Sequence, residues 1–265
     1  WSWPRSSGPL CRSTSGGLNA LDDGRYHSIW MPDHLVSFWP DSIWTPEFTD
    51  LAHASPSPHR YLDVLPLAGA VAARTARTRL ATSVVDTVRR HPVMLAQSAL
   101  TLSHLSDGRF ILGLGAGERE NLAPYGFDDR AAVSRFAEAV RLIRSLWSTA
   151  GPVDFEGEFF TLEHARLDAE PHHTGTPPIW IGANGPRMLR LVGELGDGWW
   201  PTGSAEPDIY AAQLVHIREA AEQAGPIAGE ERLGVVRCEH HGAALRDATE
   251  GRCTQALRLG MAAHW

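Results

Sequence analysis

Apolar and polar positions along the chain alternate between short β-branched or aromatic runs and longer segments with helical spacing. Leu80–Val85 is one such run, giving way to Asp86 and an arginine-rich turn. His91-Pro92 then opens a helix, proline being tolerated at the first helical position because its missing N–H has no intrahelical partner there. Leu95, Ala99 and Leu102 form the apolar stripe of that helix, and Gly108 supplies a left-handed stop. Phe110–Leu114 is the next strand, and it runs into Gly113, Gly115, Gly117 and Glu118. Two strands joined through a helix predict a βαβ unit with parallel neighbours.

The same pattern extends in both directions. Tyr26–Met31 reads as a strand ending in Pro32-Asp33-His34. A long Trp-, Pro- and Ser-rich stretch, Leu35–Arg60, carries Trp39, Trp44 and Phe48 and has the length of a lid or binding loop. Leu62–Arg74 is helical, and so is Arg135–Trp147, with Phe136, Val140, Ile143 and Trp147 on one face. Gly151–Leu167 alternates and carries turn glycines, predicting a small antiparallel excursion. Pro178–Ala183 is a strand ending in Asn184-Gly185-Pro186, followed by a helix over Arg187–Glu194. Gly198–Pro201 is a short strand ending at Thr202-Gly203, Ile209–Ala224 a helix, and Arg232–Arg237 one more strand.

Strands alternating with helices predict an α/β fold with a parallel sheet or barrel. A doubly wound sheet is one solution. A (β/α)8 TIM barrel accounts better for strands that each close on polar residues, because its active site gathers such ends at one mouth. Asp33-His34, Asp86, Glu118, Asn184-Gly185 and Thr202-Gly203 are the ends expected to converge. The expected organisation is an irregular segment over 1–17, the barrel over 18–239, and a tail over 240–265 in which the pattern fades.

The run GLGAGERE invites a dinucleotide-binding reading, but that fingerprint needs a third glycine where Glu118 or Glu120 stands. Glycine here suits close approach of the backbone to a flat ligand, with Glu118 pointing into the same space. A plain tight turn with a solvated Glu118 fits the same residues. Composition narrows the classes further. The chain has 265 residues, 43% hydrophobic, with a mean hydropathy of -0.21 and no run long enough to span a membrane. Its net charge of -7 argues against nucleic-acid and anionic-membrane partners. Cys11, Cys238 and Cys253 are scattered, as in a reducing cytoplasm. No signal peptide is legible, and the start at Trp1 points to a truncated or frame-shifted piece. His172-His173 and His240-His241 are read as adjacent pairs pointing apart in strands, so no metal is expected.

WMPDHL, SVVDTVRRHPVMLAQSALTLSHLSDGRFILGLGAGERE and PPIWIGANGPRMLRLVGELGDGWWP resemble the bacterial-luciferase-like oxidoreductases. Within them the likeness is to the branch that uses the deazaflavin coenzyme F420, which includes methylenetetrahydromethanopterin reductase and phthiodiolone ketoreductase. The resemblance implies a barrel with an insertion. It also implies a non-prolyl cis peptide at Ser83-Val84, a bulge that with Val85 and Asp86 backs the deazaflavin ring, and close approach of the ring at Gly115 and Gly117. The coenzyme's phosphate is placed on Gly182, Ala183, Asn184 and Gly185, at a helix N-terminus that favours an anion. Asp33 is expected at the coenzyme and Trp39 on the wall of the substrate pocket.

In that family the residues matching His34 and Glu118 flank the reacting carbon. They are the expected catalytic pair, His34 moving the substrate's proton and Glu118 polarising it. The implied activity is hydride transfer between F420 and a carbonyl, imine or activated alkene of a small apolar substrate. Alternatives are an FMN-dependent luciferase-like monooxygenase and a non-catalytic flavin-binding remnant. A cytoplasmic enzyme and a possible homodimer complete the expectation.

Overall fold

The computed structural model describes residues 21–201 and 206–225, together with the backbone of residues 256–258. The expectations placed on residues 1–17, Thr202-Gly203, Arg232–Arg237, His240-His241 and the three cysteines lie outside the described residues. Strand β1 is Ser28–Met31, β2 is Arg79–Thr82, β3 is Val85–Asp86 and β4 is Phe110–Gly115. The antiparallel pair β5, Val153–Glu156, and β6, Thr161–Ala165, forms the expected excursion. Beyond it come β7, Ile179–Gly182, β8, Gly198–Trp200, and β9, Ala256–Arg258. Helices are α1, Leu51–Ala54; α2, Val64–Ala72; α3, Pro92–Leu105; α4, Ala132–Ser148; α5, Pro186–Leu195; and α6, Pro207–Ala224.

A seven-stranded parallel sheet runs in the order β8-β7-β4-β2-β1-β9, with β3 also paired to β4. The βαβ reading of Leu80–Leu114 therefore holds, with α3 as the crossover. One strand, β9, had no counterpart in the apolar pattern; it pairs in parallel with β1. His91 caps α3 through Nδ1, which accepts from the Val93 N–H at 3.3 Å. The chain leaves α3 through Asp107 and Gly108, both left-handed at φ 56° and 74°.

Side chains alternate across the sheet as strand geometry dictates. Ile29, Met31, Leu80, Leu112, Leu114, Ile179 and Ile181 face the helices and join Leu95, Ala99, Phe136, Val140 and Ile143 in the main core. The other face carries Trp30, Ala81, Ile111, Trp180 and Trp200. There Trp30 stacks on Trp200 with centroids 4.1 Å apart and tilts against Trp180 at 4.7 Å. Gly198 makes room for this cluster, since a Cβ there would stand 2.6 Å from the Trp180 ring.

The run read as a single strand, Leu80–Val85, is broken. Ala81 pairs with Ile111 while Val85 pairs with Leu114, so Thr82, Ser83 and Val84 face only Leu112 and Gly113. That extra residue is a β-bulge, and the Ser83-Val84 peptide within it is cis. Thr82 bridges the gap, its Oγ1 accepting from Gly113 N at 3.0 Å and donating to Gly113 O at 2.8 Å. The stretch after β1 is likewise not structureless. It folds into a 3-10 turn at Asp41–Ile43 and into α1, pinned where Ser37 N donates to His59 Nδ1 and Trp44 Nε1 to Ser55 O.

Asp22 anchors the chain entering β2. Its carboxylate accepts from the N–H groups of Ala76, Arg77 and Thr78 at 2.7–2.9 Å. Burial pushes this carboxyl up, but the bonds from Ala76, Thr78 and Arg77 together leave it below its ordinary value. A depressed carboxyl contributes stability that is present above its unfolded value and lost as pH falls through its folded one. Asp22→Ala should therefore flatten the acid side of a stability-versus-pH curve, below about pH 4. It should also cost about 1 kcal/mol at neutral pH, both read by urea unfolding.

Candidate active site

In a parallel sheet the C-terminal ends of all strands lie on one rim, and the sequence-predicted residues gather there. His34 follows β1 by three residues and Glu118 follows β4 by three. Their side chains meet, His34 Nδ1 standing 3.1 Å from Glu118 Oε2. His34 is largely covered, 13% exposed against 53% for Glu118, and its ring lies against Tyr61 with centroids 5.1 Å apart. The pair thus joins a shielded imidazole to a carboxylate that reaches solvent.

Asn121, which the sequence reading passed over, fixes this geometry. It is buried in the 3-10 turn Arg119–Asn121 after β4. Its Oδ1 accepts from the N–H groups of Leu35 and Val36 at 2.6 and 3.0 Å. Two backbone donors settle which way the amide points, so Nδ2 is the atom that faces Glu118 Oε2 at 3.2 Å and His34 Nδ1 at 3.3 Å. One amide therefore holds both the loop that carries His34 and the carboxylate opposite it. A proton on Nδ1 satisfies Glu118, leaving Nε2 as the nitrogen able to exchange a proton. The available signal was a lone amide three residues after Glu118, on the same side of one turn.

Below the pair lies an ionic lattice. Asp33 and Asp86 are both buried, and both bind Arg89. Arg89 NH2 lies 3.0 Å from Asp33 Oδ2 and 2.7 Å from the Asp33 carbonyl oxygen, while its Nε contacts Asp86. Arg90 adds a bond to Asp33 Oδ1 at 3.0 Å and reaches Asp63 at 2.9 Å. The remaining Asp86 oxygen accepts from Val88 N and Arg89 N. The two carboxylates expected at the coenzyme are thus gripped from within by guanidinium groups, which fix the backbone at Asp33 just before His34, while Asn121 holds Leu35 and Val36 just after it.

Val84 marks the floor. Its isopropyl group packs on the tryptophan cluster between two strand-end glycines. A Cβ at Gly115 would come within 2.6 Å of Val84 Cγ2, and one at Gly182 within 3.2 Å. Gly117 has φ 96°, a left-handed value that glycine adopts without strain. Ser83 Oγ is buried here without a hydrogen-bond partner. A smooth floor bordered by glycines and an orphaned hydroxyl fits a flat polycyclic ring with polar edges.

The segment Gly182–Gly185 is placed at the N-terminus of α5, as expected. Gly185 is the N-cap, no side chain caps the helix, and Pro186 opens it. Ala183 N–H is committed to Trp200 O at 3.2 Å, so any anion here would meet the N–H groups of the first helical turn instead. Arg187, in the first turn of α5, donates to Ser134 Oγ at 2.6 Å. Trp39 packs between Phe38 and Phe48, 38% exposed.

His172 and His173 do not point apart. They lie in a turn closed by Gly175 N donating to His172 O rather than in a strand, and their ring centroids are 3.9 Å apart. No helix among the described residues is long and apolar enough to cross a membrane.

A phthiodiolone/phenolphthiodiolone dimycocerosates ketoreductase from Mycobacterium sp. strain JLS is 40% identical over 204 residues, 76% of this chain and 54% of the relative. An F420-dependent glucose-6-phosphate dehydrogenase from Nakamurella multipartita is 36% identical over 211 residues, 78% of this chain and 57% of the relative. The chain spans about half the length of the curated relatives it matches. Among solved structures, an F420-dependent secondary alcohol dehydrogenase in complex with an F420-acetone adduct superposes with a TM-score of 0.64 at 25% identity, over 81% of this chain and 59% of that one. The family profile described as luciferase-like monooxygenase matches residues 19–261. By that match and by these relatives, the chain belongs to the luciferase-like monooxygenase family.

Proposed function

We propose that this protein is an F420-dependent oxidoreductase that reduces, or in reverse forms, a carbonyl, imine or activated alkene on a small apolar substrate. The observation that supports the reading is that the His34–Glu118–Asn121 group and the floor made by Val84, Gly115 and Gly182 share the C-terminal rim of one parallel sheet. The relatives named for F420 support the choice of coenzyme. Bound at the floor, F420 would supply or accept the hydride. Ser83 and Val84 would hold the ring from behind, and the N-terminus of α5 would face its phosphate.

The chain's own residues then manage one proton. For a ketone, His34 Nε2 would give its proton to the oxygen as hydride from the coenzyme reached the carbon, leaving a neutral imidazole that takes a proton back from solvent, matching the one the oxidised coenzyme releases. Glu118 stabilises the charged imidazolium before transfer, and Asn121 keeps both in register. Oxidation of an alcohol runs the same steps backwards. Leu35, Phe38, Trp39, Ile43 and Phe48, all exposed on the stretch that follows His34, would offer an apolar substrate a hydrophobic approach. In the same reading the parallel strands belong to a closed (β/α)8 barrel and the enzyme works in the cytoplasm.

Turnover tests the reading. Reduced F420 mixed with a panel of apolar ketones should be oxidised only in the presence of both protein and ketone. Oxidation that requires oxygen and proceeds with reduced FMN would instead identify a monooxygenase. Asn121→Ala should lower kcat about 10²-fold, the scale expected from a misplacement of about an ångström, with F420 affinity unchanged. A fall in affinity with kcat intact would move Asn121 out of the proton path.

A further inference from the structure

We propose that Asp107, His172 and His173 form a binding site for a divalent transition-metal ion on the rim of the sheet opposite the candidate active site. Asp107 precedes β4, and the two histidines precede β7. Both segments therefore sit at N-terminal strand ends, away from His34 and Glu118. One ligand atom from each of the three residues lies within 4.8 Å of the others. Asp107 Oδ1 is already 3.3 Å from His172 Nε2. Nitrogen and oxygen ligands bind zinc at roughly 2.0–2.2 Å, which holds donors roughly 3–3.5 Å apart. Closing the group around an ion requires the donors to draw in from these separations, and the two exposed side chains, Asp107 and His173, are the ones with room to do so.

The backbone is arranged for this contact. Asp107 adopts a left-handed conformation at φ 56°, uncommon for a residue with a side chain. Gly108, also left-handed, packs so tightly on the histidine turn that a Cβ would stand 2.3 Å from Thr174 Oγ1 and 2.9 Å from His172 Nδ1. Thr174 Oγ1 holds His172 Nδ1 at 2.9 Å. The Thr174 N–H also donates to Nδ1 at 3.4 Å, so Nδ1 is held as an acceptor and Nε2 is turned toward Asp107; an ion bound there would replace the Nε2 proton.

Donor chemistry selects the ion. Two imidazoles and one carboxylate suit zinc, cobalt or nickel, whereas calcium and magnesium require mostly oxygen. Asp107 and His173 are exposed, so water can complete the coordination. An ion here would clamp the α3–β4 turn to the connection that enters β7.

The test is calorimetric titration of the untagged protein with zinc and, separately, cobalt, repeated on His173→Ala and Asp107→Ala. Both replaced side chains are exposed, so folding is preserved; circular dichroism checks this. The expected result is one saturable equivalent that both variants lose or bind at least about tenfold more weakly. The melting temperature should rise with cobalt in the wild type only. Wild-type protein that takes up no ion, or variants that keep the equivalent at unchanged affinity, would overturn the proposal and leave His172–Asp107 a simple ion pair.

Discussion

His34→Ala should lower kcat by about 10²–10⁴-fold, the range that removal of a positioned acid or base produces. The size follows from the geometry. Nδ1 is taken by Glu118 at 3.1 Å and lies 3.3 Å from Asn121, so Nε2 is the group left for the substrate, and water has restricted access to a side chain 13% exposed. Because the imidazole acts on the proton rather than on the coenzyme, F420 affinity should stay within about threefold of wild type, well under 1 kcal/mol. Glu118→Gln keeps a hydrogen-bond acceptor for Nδ1 but removes the charge that stabilises the imidazolium, and should give a smaller loss. Steady-state kinetics paired with binding titrations separate these effects. Unchanged turnover in His34→Ala would remove the imidazole from the mechanism.

The second large effect is on stability. Arg89→Ala should destabilise the protein by about 3–5 kcal/mol, the cost of leaving a buried charge without its partner. Asp33 and Asp86 side chains are 3% and 5% exposed, too deep for water to replace the guanidinium. Arg90 still reaches Asp33, which places the loss toward the lower end. Asp86→Asn in the Arg89→Ala background should recover part of it, because the most poorly compensated charge is then gone. Chemical unfolding of the single and double variants measures the cycle. Arg89→Lys should not restore the wild-type value, since an ammonium cannot reproduce the two-sided fork.

Much of this was legible in the chain. Helices α3, α4 and α5 were marked by their spacing and by proline at the first turn of α3, and the βαβ unit by the order of its parts. The convergence of His34 with Glu118 followed from assigning each to a strand end and from family likeness. What escaped the pattern has physical causes. A bulge adds one residue without altering hydrophobicity, so Leu80–Val85 reads as one strand by its pattern while its pairing slips at Thr82–Val84; the family likeness, not the pattern, marked the cis peptide and bulge at Ser83-Val84. Arg89 and Arg90 were read only as an arginine-rich turn, because sequence does not reveal that Asp33 and Asp86 are buried beside them. Asn121 sits in a three-residue 3-10 turn, too short for periodicity to carry a signal. Pairing of the two histidines depended on a turn at Gly175 that the reading took for a strand.

The tryptophan cluster beneath Val84 provides a reporter for the central claim. Trp30, Trp180 and Trp200 lie directly under the floor on which a deazaflavin ring would rest, so its binding should quench their emission. Titration of the folded protein with oxidised F420, and separately with FMN, is the most direct measurement. Saturable quenching by F420 with much weaker FMN binding is the predicted result. Tighter binding of FMN, or no saturation by either while circular dichroism shows a folded α/β protein, would contradict it.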